Sequence, residues 1–116
     1  MGILTSFIDS LPWPKRHWRV THYVAEADLV PAKLPPRAIV LVGSDTQLKW
    51  IALDCPCGSG RVLLNASQRR PRWTVQTRAP ATIFPSIDLR HDGHRCHYLV
   101  RRGRIQWVRG DRADEA

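Results

Sequence analysis

Cysteine is scarce in this chain: three among 116 residues, an odd number that cannot pair off completely. That argues against a disulfide-dense secreted scaffold. Met1–Leu11 lacks a basic n-region, and Ser6, Asp9 and Ser10 interrupt its apolar residues, so no signal peptide is expected and the cytosol is the natural setting. No apolar run approaches the ~20 residues that a membrane-spanning helix requires. Lysine is nearly missing too, since 15 of the 18 basic residues are Arg. Nine prolines and seven glycines leave little room for long helices and suit short strands joined by turns.

What is present is lopsided. The net charge is +8, yet residues 1–60 hold six Lys/Arg against five Asp/Glu, and residues 61–116 hold twelve against five. A basic second half points toward an acidic partner, nucleic acid included. Arg69, Arg70, Arg72, Arg101, Arg102 and Arg104 are the residues that would make such contacts. No recognised nucleic-acid motif accompanies them, and scattered arginine is also what a solvated surface looks like.

The expected organisation is a leader over residues 1–16, one β domain over 17–110 and a charged tail over 111–116. Within the domain, His17–Val24 and Gln47–Asp54 alternate with a period of two, as strands do. Ala38–Gly43 is a continuous apolar run that reads as a buried strand. Arg61–Asn65, Arg72–Thr77 and Thr82–Pro85 extend the series, while Ile87–Gly93 reads as polar connection. His97–Arg101 and Arg104–Val108 form a tight hairpin around Arg102-Gly103. The sum is an all-β fold: a small sandwich or open barrel of seven or eight short antiparallel strands.

Two clips of potential metal ligands interrupt these strands. The first is Cys55-Pro56-Cys57-Gly58-Ser59-Gly60 and the second His94-Arg95-Cys96-His97. Cys55 and Cys57 project alike from an extended strand, and the glycines let the backbone fold over them. His94 and His97 complete a four-ligand site of the kind zinc prefers, with Cys96 as the alternate to His94 and His91 as a fifth candidate. A zinc ion so enclosed would be structural.

The order of these pieces resembles domain-of-unknown-function family 6527, a small bacterial family. The resemblance covers about residues 17–108 and rests on Cys55–Gly58, Arg70-Pro71-Arg72-Trp73, Pro85-Ser86-Ile87, Gly93–Tyr98 and Arg104–Trp107. Ser59 and His94 stand where that family has cysteine, and Cys96 falls on its serine. The resemblance implies His94 and His97 as ligands and a place beside ubiquitin-like conjugation systems. The ligand layout is also similar to that of Rieske domains, though the pairs here are C-x-C and H-x-x-H.

Four functions follow from these features. The leading one is a zinc-pinned module that binds another protein, with Trp73 and Trp107 more often core than platform. A metal-dependent hydrolase would need an open zinc position and a base among Asp54, Asp88 and Asp92. A [2Fe–2S] electron carrier would place one ligand pair on each iron. A nucleic-acid binder would use the six arginines. No Ser-His-Asp pattern stands out in the sequence.

Overall fold

The computed structural model describes residues 17–108 apart from Gln68, Ala79 and Asp92, with the backbone alone at His91. The expected leader and charged tail lie outside the described residues. Eight strands form two four-stranded sheets, and neither closes into a barrel. The first sheet runs β1 (Arg19–Val24), β2 (Ala38–Gly43), β3 (Leu48–Asp54), β4 (Arg61–Asn65). The second runs β5 (Thr74–Gln76), β6 (Thr82–His91), β7 (His94–Arg101), β8 (Arg104–Trp107). The all-β expectation holds.

Each sheet turns one apolar face to the other. Ile39, Leu41, Ile51, Leu53, Val62 and Leu64 meet Ile83, Ile87, Tyr98 and Val100 in one buried cluster. Alternation explains the membership, since every second residue of a strand faces the same way. β2 departs from alternation because both of its faces are covered. Val40 and Val42, with Ala52, pack against Val24, Ala27, Val30 and Leu34, which lie on or beside the crossover from β1. That crossover, which carries a short 3₁₀ turn at Ala27–Leu29, makes β1 and β2 parallel. This corrects the expectation of purely antiparallel pairing; parallel neighbours need a dozen or more connecting residues, which the proline-rich segment supplies. All other pairs are antiparallel.

β6 and β7 differ most from expectation. Ile87–His91 is strand rather than polar connection, and β7 begins at His94. The register slips between Ile83↔Val100 and Ile87↔Tyr98, so Phe84, Pro85 and Ser86 together span a single residue of β7, Leu99. The Phe84–Pro85 peptide bond within this bulge is cis. Bulges re-aim side chains and recur beside active sites.

Candidate functional site

The bulge points Ser86 to the outer face of the second sheet. There its hydroxyl lies 2.9 Å from Nε2 of His97, a hydrogen bond between side chains eleven residues apart. His97 reaches that face by alternation. Cys96, Tyr98 and Val100 are buried toward the core, so Arg95, His97 and Leu99 project the other way. Trp73 holds the bulge from below: its indole Nε1–H donates to the Ser86 carbonyl oxygen at 3.1 Å. A partly buried indole against the core thus fixes the backbone that carries the serine.

Asp88 is the register partner of His97 across the β6–β7 ladder. Its carboxylate accepts two bonds from Arg95, at 2.9 Å from Nε and 2.7 Å from Nη2. The Arg95 hydrogen bonds hold the Asp88 carboxyl below the usual carboxylate range, with weaker help from the nearby charges of His97 and Arg90. An ionised Asp88 therefore lies opposite His97 across the ladder.

The sequence offered Ser86 only as part of the Pro-Ser-Ile step, and the Ser–His pairing was missed. Eleven residues separate the partners, and only the strand register unites them. The usable signal was a Ser and a His on consecutive strands, each beside residues bound for the core.

On the opposite face of β7 the cysteines converge. Sγ atoms of Cys55, Cys57 and Cys96 all lie within 4.8 Å of one another. Cys57 and Cys96 are paired as a disulfide, leaving Cys55 as a buried thiol. Cys55 Sγ is 3.1 Å from Cys57 Sγ and 3.6 Å from the Tyr98 hydroxyl. Ser59 Oγ lies 3.0 Å from Cys57 Sγ. The β3–β4 turn closes around them: the Cys55 N–H donates to the Gly60 carbonyl at 2.8 Å and the Gly58 N–H to the Cys55 carbonyl at 2.9 Å. Gly58 and Gly60 have φ of 84° and 127°, left-handed values that side chains resist.

The four ligands expected of the two clips do not come together as a set. His97 leaves for the outer face and bonds Ser86. Cys96, the alternate, is the residue of the second clip that joins Cys55 and Cys57. His94 shares the face of Cys96 by alternation but is exposed at the start of β7, beyond the 4.8 Å group. Asp54 pairs with Arg61 at 2.6 Å and Asp88 with Arg95, so two of the expected bases are ion-paired. Asp92 and the His91 side chain lie outside the described residues. The six arginines divide into an exposed trio on the β4–β5 connection and an exposed trio at the β7–β8 turn. Trp73 packs on the core, whereas Trp107 is half exposed and meets Tyr98 edge-on at 5.5 Å.

These observations define a two-sheet β domain with a serine–histidine pair on one face of a strand and a cysteine cluster on the other. The family model for the bacterial ubiquitination-like system serine protease (BubE) matches residues 26–108, and the chain belongs to that family. This replaces the resemblance to domain-of-unknown-function family 6527; a small bacterial domain is the common ground. The membership ties the chain to bacterial ubiquitination-like systems, which points to protein partners. No curated protein and no solved structure matches. Among the described residues, no helix is long and apolar enough to cross a membrane.

Proposed function

We propose that this chain is a serine hydrolase of peptide bonds, with Ser86 as nucleophile and His97 as its base. The observation that carries the reading is the 2.9 Å contact between Ser86 Oγ and His97 Nε2 on a bulged strand. The family's description as a serine protease supports it. With the proton of the neutral imidazole on Nδ1, Nε2 accepts the Ser86 hydroxyl proton as Oγ attacks the scissile carbonyl. The C–N bond breaks, His97 returns that proton to the leaving amine, and the acyl group stays on Ser86. Water, deprotonated in turn by His97, then releases it. The charge of Asp88 stabilises the imidazolium formed between these steps.

The cysteine cluster is a structural clip in the same reading. A disulfide needs two sulfurs, but three converge here, two from the first half of the β3–β4 turn and one from the facing sheet. In a reducing cytosol, Cys55, Cys57 and Cys96 supply three thiolates to zinc, and His94, on the same face of β7 as Cys96, supplies the fourth donor. A [2Fe–2S] cluster on these residues would give coloured protein, and zinc colourless protein.

The test is labelling with a fluorophosphonate probe, which reacts with activated serines. Labelling should map to Ser86 and vanish in Ser86→Ala and His97→Ala while the fold persists. Labelling that survives in Ser86→Ala, or folded wild-type chain that never labels, refutes the assignment.

A further inference from the structure

The outer face of the second sheet continues from Ser86 along β6 toward the β7–β8 turn, and two concavities meet there. One, of about 500 Å³, is lined by Gln76, Thr82, Phe84, Arg101 and Arg102. The other, of about 590 Å³, is lined in part by Arg101, Arg102, Arg104 and Gln106. Arg101 and Arg102 border both. Among the described residues, none of Arg101, Arg102 and Arg104 takes part in an ion pair. Three exposed guanidinium groups, in no ion pair among the described residues and beside a half-exposed Phe84, form a surface fit for carboxylates on a partly apolar chain.

The turn that carries them is built stiffly. Arg102 has φ of 50°, a left-handed value for which Asn or Gly is the ordinary choice in a two-residue hairpin turn. Its N–H donates to Thr82 Oγ1 at 2.9 Å. The following Gly103 donates to the Ala81 carbonyl at 2.7 Å and accepts from the Trp18 N–H at 2.8 Å. Arg102 is thus fixed on a turn pinned from two sides, at the border of both concavities.

We infer that Arg101, Arg102 and Arg104 form a specificity site for an acidic segment of the polypeptide substrate. The placement relative to Ser86 rests on the serine hydrolase reading above. Thr82, whose hydroxyl accepts the Arg102 N–H, precedes Ser86 by four residues, but the bulge shortens the path. Ile83 and Ile87 pair with Val100 and Tyr98, two residues apart, so Thr82 and Ser86 are separated by ~7–10 Å along the strand. A substrate laid extended on this face therefore carries its acidic pair about two or three residues from the bond cut at Ser86.

The test measures binding apart from cleavage. The full chain carrying Ser86→Ala is titrated, by fluorescence anisotropy, with an extended labelled peptide bearing an Asp-Glu pair. The matched Asn-Gln peptide and a single-stranded oligonucleotide of equal charge are run beside it. The acidic peptide should bind ~10-fold or more tightly than its amide twin, a preference that weakens with salt. Arg101→Gln should abolish most of that preference. Arg102→Asn should do the same while raising the melting temperature, because Asn suits the turn better than Arg; a purely structural Arg102 would not show that combination. Equal binding of the two peptides, a preference untouched by both substitutions, or tighter binding of the oligonucleotide overturns the inference. Each outcome is read without chemistry at Ser86, so it stands apart from the labelling test.

Discussion

Cys96 and His97 are consecutive on β7 yet belong to opposite faces of the second sheet. Cys96 is buried against Cys57 in the space between the sheets, while His97 bonds Ser86 on the outer face. The period-two geometry of a strand separates the two chemistries without separating them in sequence. It also couples them: whatever holds Cys96 in register holds the backbone of His97. On the proposed reading, the cysteine cluster therefore positions the base as well as joining the two hairpins.

That division sets the first prediction. Ser86→Ala should abolish peptide hydrolysis, and His97→Ala should lower it by ~10²–10⁴-fold, the usual worth of a positioned general base. Both side chains lie on the outer face, so neither loss opens a cavity in the core, and melting temperatures should stay close to wild type. Steady-state kinetics beside thermal unfolding reads both quantities. A His97→Ala variant that keeps full activity would show that the imidazole is not the base.

The fold was largely readable because its strands carry period-two patterns or continuous apolar runs, as Gln47–Asp54 and Ala38–Gly43 do. The parallel β1–β2 pair was not readable, since nothing local to either strand encodes the direction of a neighbour. Within the site, the C-x-C clip announced itself by spacing and glycines. Cys96 was legible as a ligand candidate, but its preference over His97 turns on which residues of β7 face inward. The buried Tyr98 and Val100 decide that, and they mark Cys96 as the inward member. Ser86 was hidden for a different reason. It follows a proline in a bulge, so alternation from Ile83 cannot be counted through it.

The clip itself gives the second prediction. Cys57→Ser and Cys96→Ser should each lose bound metal in the reduced protein and destabilise the chain by ~2 kcal/mol or more, whichever bond those sulfurs make. For a domain of this size that is a fall of more than ~8 °C in melting temperature. His97→Ala should leave the metal content untouched, and His94→Ala should lower the affinity for it. Elemental analysis of protein purified under reducing conditions, with thiol titration beside it, checks the set. Equal metal content in Cys57→Ser and wild type would remove the metal clip.

Trp73 offers a third test, because its effect on chemistry is indirect. Trp73→Phe keeps an aromatic ring against the core and deletes the Nε1–H that donates to the Ser86 carbonyl. One neutral hydrogen bond is worth ~0.5–1.5 kcal/mol, so the stability loss should be modest. The bulge that aims Ser86 loses its anchor, so kcat should fall while KM changes little. Trp73→Leu, which removes the ring as well, should add a larger drop in melting temperature. If Trp73→Phe leaves kcat at the wild-type value, the indole serves packing alone.

The last prediction concerns Asp88 and acid. Its pKa lies lower in the folded chain than in the unfolded one, chiefly through the Arg95 hydrogen bonds. A carboxylate shifted this way contributes stability in full above its unfolded pKa of ~3.9, and loses that contribution as pH falls through the folded value. Because Asp88 is exposed, the contribution at neutral pH should be ~1 kcal/mol or less. Asp88→Asn should therefore melt slightly below wild type at pH 7, and the two curves should converge below pH ~3. The same substitution removes the charge opposite His97 that would balance the imidazolium formed during the proposed reaction, so kcat should fall. Melting curves against pH, with kcat at neutral pH beside them, test both effects, and a gap in stability that widens in acid contradicts the assignment.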